Sequence, residues 1–259
     1  MSHKQPKNAS AGSQKRHRHA PRDLVVLHLD DDLIVVDKPA GVLSAPGRGG
    51  GQTVADQIRA QVNLGQTDAL RIVHRLDQDA SGVLVYARTL QAQQSLVRQF
   101  SKRSVEKTYL AIVTGYVESD GQVELRLTYD RRSHRVRVGS RGKPAMTRFR
   151  VAERLAGNTL LQCQPVTGRS HQIRVHMAAI GHPLTVDPLY GGGQAVLLSH
   201  LKPGYKPSAR RPERPLIQRL TLHAVRIRFA HPVTGDVLNL EAAPPKDMRA
   251  TINQLRRLV

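Results

Sequence analysis

From Asp23 onward the chain runs as short apolar segments separated by turn residues, and the period of each segment assigns it to strand or helix. The string DLIVVDKP at 32–39 is an apolar run closed by Pro39, which predicts a buried strand. After a glycine-rich loop, Val54, Ile58 and Val62 recur at helical spacing behind Thr53, a residue type that caps helices. GVLVYAR at 82–88 predicts another strand. Thr89 then stands where it can cap a helix to about Arg103, with Leu96, Val97 and Phe100 turned to the core.

Strand patterns next crowd together at 107–117, 122–128, 134–138, 145–153 and 159–166. Between 170 and 183 the period changes to that of a helix: Ile173, Met177 and Ile180 align, Ser170 is placed as the cap and Gly181 as the stop. Four prolines between 203 and 215 make 194–219 a long loop. A hairpin over 221–242 and a closing helix over 247–258 complete the pattern. Runs of neighbouring strands with helices between them predict an α+β fold, a largely antiparallel mixed sheet with flanking helices, in one domain over 23–259.

Composition narrows the function. One cysteine in 259 residues excludes a disulfide framework and multi-cysteine metal or iron–sulfur sites. No apolar run approaches the ~18 residues of a membrane span, and residues 1–22 lack the apolar stretch of a secretory signal. A cytoplasmic protein without a membrane partner is expected. Lys and Arg number 40 against 20 Asp and Glu, a net charge of +20, which makes a polyanion the expected partner.

Position sharpens that charge. Residues 1–22 hold six basic side chains and no acid, 131–150 hold eight and no acid, and 202–219 hold six and one Glu. The remaining residues carry 20 basic and 19 acidic groups, a nearly neutral body. The first run, Gly/Ser/Asn/Lys/His-rich and without apolar period, reads as a disordered basic arm. None of the three offers the broad apolar face of a membrane-surface helix, so nucleic acid is favoured over lipid. Aromatic residues make up only 3%, too few for a single-strand binder built on rows of stacked rings.

Two strings concentrate chemistry. The first is VHRLDQDASG at 73–82, where His74, Arg75, Asp77 and Asp79 converge ahead of a strand. Alone it reads equally as a turn in which an Asp side chain bonds nearby backbone N–H groups. The second is TGRSHQIRVH at 167–176, polar groups on the first turn of a helix, suited to anion contact or to a capped, solvated face. His171 and His176 are five apart, wrong for a metal pair on one helical face, and no HExxH occurs, so no metal is expected. The GRGGG loop at 47–51 lacks the Lys-Ser/Thr of a phosphate loop, and Cys163 sits inside a strand pattern as a buried thiol.

Taken in order, LIVVDKPAGVLSAPGR, VHRLDQDASGVLVYAR, EKTYLAIVTG, GKPAMTRFRV, TGRSHQIRVHMAAIGHPLTVDPLYGG and LHAVRIRFAHPVTG resemble the motifs of the RluA-type family of RNA pseudouridine synthases. The resemblance spans about 200 residues, from Asp31 to Val237, and is nearest to members without the extra N-terminal RNA-binding domain. It implies the pseudouridine-synthase catalytic fold over 23–259 and isomerisation of specific uridines in structured RNA, with the base flipped out and no cofactor. It further implies that Asp77 is the catalytic carboxylate, that Arg174 pairs with Asp77 and aims it, and that Tyr109 stacks on the target base and helps deprotonate C5. Arg75 is expected to splay the RNA, with Arg169 and His171 as further RNA contacts. The expected partner is 23S rRNA or a tRNA stem-loop, bound by a monomer. Ala80 and Val186 depart from the family pattern, which has Thr and Gly there.

Two other readings share these residues. A base-excising N-glycosylase would use the same carboxylate and flipping but let water finish the reaction. A catalytically idle RNA-binding or ribosome-assembly factor would keep the fold without Asp77, Tyr109 or Arg174, and all three are present.

Overall fold

The computed structural model describes residues 24–259 apart from 48–49, 63–68, 134, 203 and 209, so the arm expected over 1–22 lies outside the described residues. In chain order the strands are β1 (Val25–Leu29), β2 (Leu33–Lys38), β3 (Arg71–Ile72), β4 (Ser81–Ala87), β5 (Glu106–Thr114) and β6 (Gly121–Asp130). They continue with β7 (Arg135–Val138), β8 (Lys143–Leu155), β9 (Asn158–Pro165), β10 (Leu222–Ala230) and β11 (Val237–Glu241). The helices are α1 (Val54–Val62), α2 (Leu90–Lys102), α3 (Gln172–Ala179) and α4 (Lys246–Arg256).

All these strands join one sheet in the order β1-β2-β4-β10-β5-β9-β8-β6-β7, with β3 added to β4 and β11 to β10. The β4–β10 pair is parallel and the others are antiparallel, the mixed α+β sheet the sequence pattern predicts. β4 is buried along its whole length because both its faces are covered: Val83, Val85 and Ala87 pack with Leu96 of α2, and Leu84 and Tyr86 pack with Ile58 of α1. That explains its unbroken apolar run. Across β5, β8 and β9 the faces divide. Ala111, Phe149, Leu161 and Cys163 meet Ile173 and Met177 of α3, while Ile112, Leu155 and Leu160 meet Met248, Ile252 and Leu255 of α4.

Both N-terminal helices start as expected. Thr53 Oγ1 accepts the Asp56 amide (3.2 Å) while Asp56 Oδ2 accepts the Thr53 amide (2.9 Å), and Thr89 Oγ1 accepts the Ala92 amide (3.1 Å). Val97, expected in the core, is 43% exposed, because α2 turns Ala92 and Leu96 inward and leaves Val97 on the rim of a cleft.

α3 differs most from its pattern. Ser170 does not cap it; the helix begins at Gln172 behind His171, whose φ of 52° is left-handed and whose side chain makes no cap bond. Gln172 takes over the local bonding, accepting from the Thr167 hydroxyl (2.6 Å) and the Arg169 amide (3.0 Å) and donating to the Met146 carbonyl (2.8 Å). Residues Gln172–Met177 are all buried, so α3 is inserted rather than laid on the surface, and Ile180 emerges beyond it. The left-handed Gly181 (φ 86°) ends it as expected. Among its described residues the 194–219 segment is a loop with a 3-10 turn at Leu198–His200, pinned by a Val196–Ile217 bridge.

Candidate active site

The loop 73–80 hangs directly on the sheet, since β4 begins at the next residue. Lys38, fully buried at the end of β2, fixes its path: the ammonium donates to the carbonyls of Pro39 (2.8 Å), Gln78 (2.7 Å) and Ala80 (2.7 Å). Ser44 holds the middle, its hydroxyl donating to the Leu76 carbonyl (2.9 Å) and accepting the Leu76 amide (3.1 Å). Burial pulls His74 down to a pKa of about 3, so its neutral Nε2 accepts the Val85 amide (3.0 Å) while its ring stacks on Phe100 (4.8 Å between centroids). A loop tied at its start, middle and end presents Asp77 in one position.

Asp77 meets α3 across 97 residues of sequence. Arg174 Nη1 donates to Asp77 Oδ2 at 3.1 Å, and the other edge of the same guanidinium, Nε and Nη2, donates to both oxygens of the fully buried Asp187 at 2.8 Å each. The planar fork thus spans two carboxylates. Burial works against the charge of Arg174, but Asp187 and Asp77 outweigh it and raise its pKa. Tyr190 lies under the guanidinium, 5.0 Å from ring centroid to Cζ. Its hydroxyl accepts the Val136 amide (3.1 Å) and bonds His171 Nδ1 (2.8 Å), and Nε2 of His171 lies 3.9 Å from Asp77 Oδ1. Burial lowers the pKa of His171, Asp77 partly opposing it, so the ring beside the carboxylate is neutral.

Tyr109, on β5 opposite Cys163 of β9, borders the same space. Burial, reinforced by the charge of Asp77, pushes its phenol well above its usual range, so it stays protonated at neutral pH. Arg75 is exposed at the mouth, and Arg169 is half-buried with Nε donating to the Pro144 carbonyl (3.1 Å). All six residues singled out in the sequence, Arg75, Asp77, Tyr109, Arg169, His171 and Arg174, line one cleft of about 820 Å³.

Three residues of the site, Asp187, Lys38 and Tyr190, are missed by sequence reasoning. Asp187 and Lys38 are charged residues inside apolar strings (TVDPL, LIVVDKP), the one signal that marked them, since a buried charge needs a partner. Val186, where the resembled family has Gly, takes no left-handed conformation and packs in the core, and Ala80 is likewise buried without strain. Cys163 is buried and its thiol is pushed up to about 12 by burial, an inert group. Among the described residues, Asp30, Asp32 and His231 are the group of acids and histidines close enough to hold a cation, but Asp30 is already bonded by His28, His231 and the amides of Asp32 and Leu33.

The chain is similar to known proteins along most of its length. The profile of a family described as RNA pseudouridylate synthase matches residues 32–179. A ribosomal large subunit pseudouridine synthase D of Nitrosomonas europaea is 38% identical over 249 residues, covering 95% of this chain and 69% of that one. A ribosomal large subunit pseudouridine synthase C of Salmonella typhi is 38% identical over 237 residues, covering 90% and 70%. Among solved structures, Human RNA Pseudouridylate Synthase Domain Containing 4 superposes with a TM-score of 0.71 at 26% identity, over 90% of this chain and 93% of the other.

Proposed function

We propose, on the premise that this chain belongs to the RNA pseudouridylate synthase family and isomerises uridine in RNA, that Asp77 is its catalytic carboxylate and that large-subunit ribosomal RNA supplies the uridine. The observation that carries the reading is the Asp77–Arg174–Asp187 chain at the foot of a cleft bordered by Tyr109. Asp187 holds Arg174, Arg174 holds Oδ2 of Asp77, and Oδ1 remains for the reacting nucleotide beside a neutral His171. The relatives named for the ribosomal large subunit favour rRNA over a tRNA stem-loop.

The reaction breaks the N1–C1′ bond, turns the uracil and joins C5 to C1′; C5 loses a proton and N1 gains one. The balance is internal to one nucleotide, so no electron or group donor enters. Tyr109 offers its ring as the flat face on which the base turns. Its phenol is held neutral, so we assign removal of the C5 proton to the Asp77 carboxylate rather than to a phenolate. Arg75, exposed at the mouth, fills the gap left by the flipped base, which costs a few kcal/mol of stacking. Arg169 and His171 contact the adjoining backbone.

The test is incubation with transcribed large-subunit rRNA and tRNA, followed by digestion to nucleosides. Pseudouridine from rRNA, absent with Asp77→Asn, is expected. Free uracil would instead identify an excising glycosylase, and product from the Asp77→Asn protein would remove Asp77 from its role.

A further inference from the structure

The sheet face opposite the cleft carries positive charge that the Asp77 chemistry does not use. Arg148 of β8 stands in register between Gln122 of β6 and Gln164 of β9, and Arg150 stands beside Gln162, which in turn faces Leu110 of β5. Arg148, Arg150 and the three glutamines are exposed, and neither arginine has an ion-pair or hydrogen-bond partner among the described residues. Strand alternation turns them away from Phe149 and Cys163, the residues that face α3, and therefore away from Asp77.

What flanks these rungs is also basic. Leu110 packs with Leu201 and Leu216 of the 194–219 loop, in the cluster that holds α4, so loop and helix border the open strands. The loop presents Lys206, Arg210, Arg211 and Arg214, and α4 and its end present Arg249 and Arg257, all exposed. The acids here are mostly engaged: Glu153 by Arg256 (2.5 Å), Asp247 by Arg219 (2.7 Å) and Glu213 by the Ser199 amide (2.9 Å). Asp120 accepts the Val151 amide (2.8 Å), and Glu118 and Glu124 are exposed.

We propose that this face is a second RNA surface, taking the phosphate backbone of a substrate segment remote from the target uridine. Charge complementarity selects the occupant. Arg148 and Arg150 lie about 7 Å apart on one strand and present planar forks that suit phosphate, with glutamine amides beside them as neutral hydrogen-bond partners. The proposal rests on the RNA-modifying reading. It adds that the basic 131–150 and 202–219 segments do not all grip the RNA at the cleft: part of each serves the opposite face.

The experiment compares two RNAs, the full large-subunit rRNA transcript and a short stem-loop cut from around the uridine modified in it. The Arg148→Gln/Arg150→Gln and Arg210→Gln/Arg211→Gln proteins change only exposed side chains. The expected result is affinity for the full transcript reduced about tenfold, with a salt slope lower by about 0.7–0.9 for each phosphate no longer neutralised. Turnover and KM on the stem-loop stay at wild-type values. Unchanged affinity for the transcript overturns the proposal. An equal loss on both RNAs overturns it as well, by assigning these arginines to the cleft. Failure of the underlying reading is separate: the wild-type protein would make no pseudouridine in either RNA.

Discussion

Asp187 grips the Nε/Nη2 edge of Arg174 with two hydrogen bonds of 2.8 Å and leaves Nη1 to reach Asp77 at 3.1 Å. The two carboxylates therefore differ in office. Asp187 is fully buried and Asp77 is 23% exposed at its side chain, so the inner one supports structure and the outer one is open to the cleft.

That division predicts opposite phenotypes. Asp187→Ala leaves a buried guanidinium with a single partner and is expected to cost about 3–5 kcal/mol, read by urea unfolding. Asp77→Asn should unfold at nearly the wild-type midpoint while turnover is abolished. Arg174→Lys keeps the charge but cannot span both carboxylates, and turnover is expected to fall roughly a hundredfold with modest change in KM. A Lys variant with wild-type turnover would show that only the charge matters.

Lys38 gives the next prediction. Its fully buried ammonium satisfies three carbonyls, two of them in the loop that carries Asp77. Lys38→Met fills the volume but takes a donor from each of those carbonyls, leaving Gln78 with the Gly41 amide (2.8 Å), for a loss of about 3–5 kcal/mol. Turnover should fall alongside, since the loop that aims Asp77 loosens. Thermal melting and single-turnover assays on the same preparation read both.

Gly82 tests the one parallel joint of the sheet. Its φ is +115° and an added Cβ would lie 2.2 Å from the Ala224 carbonyl oxygen, at the β4–β10 pairing. Gly41 is also left-handed (φ +86°) but has open space around it. Gly41→Ala should therefore cost about 1–2 kcal/mol, the conformational cost alone. Gly82→Ala should cost clearly more and reduce the soluble yield. Equal melting temperatures for the two would show that the β4–β10 joint yields without penalty.

Acid stability depends partly on Asp30. Burial favours its neutral form, but bonds from His28, the Leu33 and Asp32 amides and His231 outweigh it and bring its pKa from 3.8 to about 2. A carboxyl depressed in the folded state stabilises above its unfolded pKa and loses that contribution as pH falls through the folded value. The expected contribution is roughly 1 kcal/mol after solvent screening, present above about pH 4 and gone below about pH 2. Asp30→Asn should lower the melting temperature at pH 7 and converge with wild type in strong acid.

Much of this is legible along the chain. Apolar period places most strands and helices within a few residues but misses β1 and the two-residue β3, and the HRLD and GRSHQIRVH strings stand out as polar clusters in which the family resemblance, not the period, singles out Asp77 and Arg174. The start of α3 is not legible, because Ser170 has the chemistry of a cap, yet Gln172, turned inward by tertiary bonds, does the local work. Asp187 and Lys38 stay hidden because a lone charge in an apolar string names no partner.

By itself the sequence determined most of the element types and the basic segments, since these follow from local period and composition. Only the tertiary structure decided which carboxylate faces solvent and that Arg148 and Arg150 lie on the sheet face away from Asp77. Burial and partner geometry belong to residues distant in the chain, and it takes the assembled sheet, with α3 inserted against it, to bring position 77 to 174 and 38 to 80.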